Sequence, residues 1–355
     1  MIKNLINEAV ENLQRLIITP SISGDELAVS QIIEEYLQKY GIEVKRVKNN
    51  IYAYNKYFDE QKPTLLLNSH LDTVKPNAGW TRDPFKASVE DGKLYGLGSN
   101  DAGAPLVSLL ATFIYLYAME DMTHNIVFSA VAEEENSGKN GMRLLLSQLG
   151  DISLCIVGEP TGMQMAVGEK GLIVLRCQAQ GRSGHAARDT GENALYKALD
   201  DIQWFRTFKF KKESAVLGPV KMSVTVISAG TQHNVIPDRC DFTVDIRTTD
   251  VYNNEEVLRI IKENIKSDFG QPSLSLNPSA IAENHPLVRI ARENGIELFG
   301  SPTMSDQTFI SAPSVKMGPG MSERSHTSDE YVYLNEIEHG IQTYIYLLEK
   351  FLTGN

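Results

Sequence analysis

Five short segments carry residue types that can do chemistry, and each lies where an apolar run or a glycine turn ends. Asn68-Ser69-His70-Leu71-Asp72 closes the apolar run 64–69. In extended chain, residues i and i+2 share a face, so His70 and Asp72 come side by side, as when a carboxylate fixes a metal-ligating imidazole. Alone, such a pair reads as the polar start of a loop. In Gly96-Leu97-Gly98-Ser99-Asn100-Asp101 two glycines permit a tight turn that delivers Asp101 to a helix N-terminus. Alone, Asp101 there is an ordinary N-cap. The segment has neither the third glycine of a dinucleotide fingerprint nor the Lys-Ser/Thr of a P-loop, which excludes both. Glu133-Glu134-Glu135 leaves the apolar run 125–132, at the end of a strand where open α/β sheets bind ligands. Adjacent glutamates can divide the work, one ligating a metal and its neighbour reaching a bound water as general base. Glu159 follows a third apolar run in Gly158-Glu159-Pro160-Thr161, and His326 lies in the glycine-rich stretch 318–327. By itself His326 is an exposed loop histidine.

Two histidines and several carboxylates, each at a strand end or glycine loop, suit zinc or cobalt with mixed nitrogen and oxygen ligands. With one carboxylate bridging, the same set suits two metals roughly 3.5–4 Å apart.

The elements that must position these residues follow from periodicity. Residues 1–16 form an amphipathic helix, 25–40 a helix closed by Gly41, and 104–119 a buried helix too short and too polar to span a bilayer. The apolar runs 64–69, 125–132 and 154–158, separated by helical stretches that include 138–149, indicate an α/β unit with a largely parallel sheet covered on both faces. From 172 to 282 the texture changes. Strand-like 172–180, 220–227 and 238–247 alternate with helical 192–206 and 255–266, which describes a small α+β unit with an antiparallel sheet. A strand near Val315 and a helix over 334–352 return to the first texture. The chain therefore reads as a discontinuous domain, 1–171 and 283–355, interrupted by an inserted domain, 172–282.

The ordered set SHLDTV, GLGSNDAG, AEEE, GEPT, GRSGHAA, HNVIPD and GPG…SH resembles the di-zinc family of acetylornithine deacetylase, succinyl-diaminopimelate desuccinylase, aminoacylase and glutamate carboxypeptidase. The resemblance spans nearly the whole chain. It implies a zinc-peptidase-like α/β catalytic domain with a mostly parallel mixed sheet, and an inserted lid that forms a homodimer. By position, His70, Asp101, Glu135, Glu159 and His326 match metal ligands. Asp101 bridges, His326 and Glu135 share one metal, and His70 and Glu159 share the other. Asp72 matches the histidine-orienting aspartate and Glu134 the general base. His185 resembles the histidine that reaches the partner's site and stabilises the tetrahedral oxyanion. Asn234 and Arg247 match substrate-binding residues, Arg247 suiting an α-carboxylate through its fork. Alone, these two read as a turn asparagine and half of a strand-end ion pair. Lys170 and Ser305-Asp306 fall in stretches that resemble pocket-lining loops. The sequence departs from the family pattern at Ala102-Gly103-Ala104, where Met-Lys-Gly is usual, and at Glu133, where Asp is usual. Neither change removes a ligand.

The implied reaction is metal-dependent hydrolysis of an N-acyl amino acid amide, with Zn2+ or Co2+ as the two divalent ions. Length and the compact GEPT and GPG…SH segments look most like acetylornithine deacetylase, releasing acetate and ornithine in arginine biosynthesis. Desuccinylation of succinyl-diaminopimelate, succinyl-ornithine or succinyl-citrulline is the alternative. Cleavage of di- or tripeptides and a metal-free binding role are further readings, and the filled Glu134 position weighs against the last. Composition fits a soluble enzyme. The 355 residues carry 34 Lys+Arg against 45 Asp+Glu, a net −11, which argues against nucleic acid and anionic membranes as partners. Three cysteines without zinc-ligand spacing and an N-terminal helix unlike a signal peptide suit a reducing cytoplasm. Of seven histidines, His124, His233, His285 and His339 have no assigned role.

Overall fold

Every residue of Thr64–His70, Asn125–Val131, Leu154–Gly158 and Ser314–Met317 is buried. That is how strands covered on both faces of a sheet must read. In the computed structural model, which describes residues 1–188 and 190–354, these four strands pair in parallel. Thr64–His70 lies between Asn125–Val131 and Leu154–Gly158, and Ser314–Met317 adjoins the last. Registers place His70 opposite Val131, and Met317 opposite Gly158. The C-terminal ends of all four strands therefore open on one edge, from which the loops carrying Asp72, Glu134, Glu159 and His326 leave. Antiparallel strands extend the sheet to either side, Asn50–Tyr54 against Asn125–Val131 and Met165–Glu169 against Ser314–Met317. The sheet is thus mixed, with a parallel centre.

Helices Ile2–Ile17, Ala104–Leu116 and Leu334–Thr353 pack on one another, and Ala104–Leu116 also packs on the His70 strand. Ile2–Ile17 buries Leu5, Ala9, Leu13 and Ile17, one stripe at helical spacing. Phe113 stacks on Phe128 with centroids 5.7 Å apart, locking the central helix to the sheet. Each fully buried side chain of that size stabilises by about 1.5–3 kcal/mol relative to exposure. Gly158 lets the strand that delivers Glu159 pack closely: a Cβ there would lie 2.7 Å from Leu109 Cδ1 and 3.2 Å from Ser69 Cβ, so side chains around it would have to shift.

Two expected elements differ. The helical stretch over 138–149 contracts to Met142–Leu146. Glu133 and Ser137 take left-handed backbone, and the Glu133 carboxylate accepts from Asn140 N and Nδ2 (3.0 and 2.6 Å), so a closed loop replaces the first turns. The buried helix expected to reach 119 stops at Leu116.

The chain divides into two compact units, 1–167 with 280–299 and 305–355, and 168–279 with 300–304. The second unit holds an antiparallel sheet in the order Lys221–Ala229, Arg239–Thr248, Gly171–Gln180, Asp268–Phe269. Gly171–Gln180 alternates buried and open residues. Its covered face packs Ile173, Leu175 and Cys177 with Phe242, Val244 and Ile246 under helices Ala194–Thr207 and Asn254–Lys262. All three cysteines are buried and unpaired with one another.

Candidate metal centre

His70 is the last residue of its strand, and its side chain is buried. Its Nδ1 lies 2.9 Å from the Asp72 carbonyl oxygen and 3.5 Å from Asp72 Oδ1. The strand ends at His70, and the Asp72 atom closest to Nδ1 is the carbonyl oxygen, with the carboxylate beside it. With Nδ1 held, Nε2 points at Asp101 Oδ1 (3.3 Å) and Glu159 Oε1 (3.8 Å). The Asp72 carboxylate does more than face the ring. It accepts from Ser23 Oγ (2.6 Å) and from the main-chain N–H of Glu134 and Glu135 (3.0 and 3.1 Å).

Asp101 is not an N-cap. It has extended backbone (φ −117°, ψ 102°) in the segment Ser99–Gly103, and the helix starts beyond it at Ala104. That conformation turns one oxygen to each imidazole, Oδ1 to His70 and Oδ2 to His326 Nε2 at 3.6 Å. His326, in left-handed backbone at φ 60°, also sets Nε2 2.9 Å from Glu135 Oε2. The five residues fall into two groups, His70–Asp101–Glu159 and Asp101–Glu135–His326. Within each, one donor atom per residue lies within 4.8 Å of the others.

Nitrogen and carboxylate oxygen are the donors zinc or cobalt takes in mixed sites. The charges show the same demand for a cation. Burial, then the charge of Glu159, pushes the Glu134 carboxyl well above its ordinary range, with Asp306 and Glu135 adding to the rise and His70 opposing it. Burial and Asp101 push Glu159 up to about 8. Burial would lower His70, but hydrogen bonds to Asp101 and Asp72 and the nearby glutamates raise it well above the usual histidine value. The hydrogen bond to Glu135 raises His326 to about 9. Carboxylates that raise one another in a buried place would be relieved by positive charge among them. The residues fit a pair of divalent ions.

Several supporting groups escape a reading by motif. Ser23 approaches Asp72 from 49 residues away, and nothing in its surroundings in sequence marks it. Glu330 is buried and accepts three main-chain N–H bonds from Gly98, Asn100 and Asp101; its only signal is its place four residues after His326. Asp306, by contrast, lies in a stretch already singled out by the resemblance; it is buried and accepts from Asn68 Nδ2 at 2.9 Å.

In the second unit, a two-residue ladder, Gly184–His185 with Val235–Ile236, brings His185 and Asn234 together. Ala186 N donates to Asn234 O at 2.9 Å, and Ala187 N to His185 Nδ1 at 3.1 Å. His185 is exposed. Arg247 turns its fork onto Asp245 (2.9 and 3.1 Å) and pairs across the strands with Lys221. Lys170 donates to Pro219 O, and burial with the charges of Lys221 and Arg247 lowers it. Elsewhere, His285 caps the helix Pro286–Glu293, and His124 packs on Phe351.

The family model described as Peptidase family M20/M25/M40 matches residues 66–350. A succinyl-diaminopimelate desuccinylase of Wolbachia pipientis is 28% identical over 297 residues, 77% of this chain and 72% of that protein. One of Paracoccus denitrificans is 27% identical over 266 residues, 70% and 69% of the two chains. Among solved structures, an aminopeptidase of Bacillus cereus superposes with a TM-score of 0.79 at 19% identity over 99% of both chains. A Bacillus subtilis protein described as a dinuclear metal-binding peptidase gives 0.75 at 17%, again over 99% of both. At these identities the structures show a shared fold.

Proposed function

The chain belongs to peptidase family M20/M25/M40 and is a metal-dependent hydrolase of amide bonds, and from that premise we propose that it removes a carboxylate-bearing acyl group, of the succinyl type, from an N-acyl amino acid. The observation that carries the hydrolytic reading is the pair of donor groups joined by Asp101 beside the buried Glu134. Two divalent ions, zinc before cobalt, supply an acidified water and polarise the acyl carbonyl when bound. Glu134, whose surroundings raise its proton affinity, takes the proton of the attacking water and returns it to the leaving amine. Asp72 keeps His70 Nε2 aimed inward while holding the backbone of Glu134 and Glu135. We assign His185 to the oxyanion and Asn234 and Arg247 to the substrate, as the family resemblance implies.

One observation supports a carboxylate on the acyl group: the similar curated proteins are named desuccinylases. Acetylornithine deacetylation is the second reading, favoured by the GEPT and GPG…SH segments. The homodimer implied by the resemblance would use the edge strand Lys221–Ala229, whose Val226 and Ile227 are exposed. Among the described residues, no helix is long and apolar enough to cross a membrane.

The test is amine release by the metal-loaded enzyme from N-succinyl and N-acetyl forms of ornithine, citrulline and diaminopimelate. A kcat/KM at least about tenfold higher for succinyl substrates is expected, the discrimination worth one buried charge contact. Equal rates or an acetyl preference would overturn the succinyl assignment and leave the hydrolytic one standing.

A further inference from the structure

We infer that Glu330 is a positioning residue for both metal-donor groups, acting through the main chain that carries Asp101. Glu330 is 2% exposed, and its carboxyl gathers three amides of one tight segment. Oε2 accepts from Gly98 N at 3.1 Å, and Oε1 accepts from Asn100 N and Asp101 N at 2.8 and 2.9 Å. Three main-chain bonds of ordinary length converging on one buried carboxyl hold the segment's path closely.

A second fastening runs between the same two stretches of chain. Asn100 Nδ2 donates to Met321 O at 3.0 Å, and Asn100 Oδ1 accepts from Met321 N at 2.9 Å. The Gly98–Asp101 turn is therefore tied at two points to the stretch 321–330, which carries His326. On the outer side, Asp329 accepts from Thr81 N and Arg82 N, both at 3.0 Å, and from Thr81 Oγ1. Asp101 is common to both donor groups and His326 belongs to one of them. Glu330 and Asn100 together fix the spacing of Asp101 from His326, and thereby how the two groups share their bridging carboxylate. Among the described residues, the hydrogen bonds that tie Glu330 to the site all run to backbone.

The inference rests on the metal reading of the site, and the experiment separates the two. Full-length protein and its Glu330→Gln variant are titrated with Co2+, reading bound equivalents by equilibrium dialysis and the ligand-field absorption spectrum. The substituted amide keeps one oxygen for Asn100 and Asp101 but turns an NH2 toward Gly98 N–H. Affinity for both equivalents should fall at least about tenfold, the usual effect of removing a group that orients a ligand. The cobalt spectrum should shift, while the melting temperature of the metal-free chain changes little. Wild-type affinity with an unchanged spectrum would overturn the inference. If Glu330→Gln does not fold, Asn100→Ala carries the test. It should weaken the same equivalents by a smaller factor, and wild-type affinity there overturns the inference equally. Fewer than two equivalents on the unaltered protein would instead sink the two-group reading itself.

Discussion

The two donor groups contain the same chemistry in opposite settings. The His70 side chain is 1% exposed and the His326 side chain 53%. His70 takes its position from a strand buried along its whole length, and its ring is held at Nδ1 by Asp72. His326 sits in a loop with left-handed backbone, and what fixes that loop is a set of side-chain clamps. One group inherits its geometry from the sheet, and the other has it assembled from loops. Precision in the first costs nothing beyond folding, whereas the second depends on individual residues that lie outside it.

The largest expected effect concerns a residue that belongs to neither group. Glu134→Gln should lower kcat by roughly 10²–10⁴ while both metal equivalents remain bound, since a general base is lost and no ligand is. Loss of either equivalent would place Glu134 inside a group and redraw the division. Next, the paired substitutions His70→Ala and His326→Ala compare the groups directly. His326→Ala should weaken one equivalent and leave the other tight. His70→Ala should in addition lower the melting temperature of the metal-free chain, because Asp101 and Glu159 lose a buried partner. Equal melting temperatures for the two variants would erase the contrast between sheet-built and loop-built halves.

The smallest effect is a pH dependence. In the metal-free chain Glu159 is raised to about 8 and His326 to about 9. Unfolded, these groups release their protons near about 4.3 and 6.5, so the folded chain binds more protons between about pH 5 and 9. Stability of the metal-free chain should therefore fall as pH rises through that window. Bound metal displaces those protons, so the loaded protein should hold its melting temperature and the gap should widen toward pH 9. A metal-free melting temperature that rises with pH would contradict the charge distribution in both groups.

How far the sequence led depended on whether a feature is local. The parallel strands were legible because burial on both faces demands unbroken apolar runs, and the three registers between them then set the loops on one edge without further signal. The five residues that the structure gathers into two groups were legible because each follows such a run or a glycine turn. The helix N-terminus expected at Asp101 lies three residues later, with Gly103 standing before the helix, so Asp101 keeps the extended backbone that lets it face both groups. The short helix Met142–Leu146 was overextended because the Glu133–Asn140 closure competes with helical hydrogen bonds, and composition does not show it. Ser23 and Glu330 owe their roles to approaches across 49 and 229 or more residues, where no spacing rule applies. For Arg247 the sequence leaves open both a substrate carboxylate and a strand-end ion pair, and Asp245 occupies its fork in the chain by itself. A ligand there must share or displace an internal partner.

The position of Asp72 also bears on how such a site can change over generations. One carboxylate serves the ring of His70 and the main chain of both Glu134 and Glu135. Substitutions at those three neighbours are consequently not independent, because each is measured against a geometry the others help to hold. Once Asp72 is altered, further change at any of them should cost much less than it would in the intact chain. Mutational paths through this corner are therefore steep at the first step and shallow afterwards. The outer end of the same framework, where His326 is held by separate clamps, can be altered by degrees.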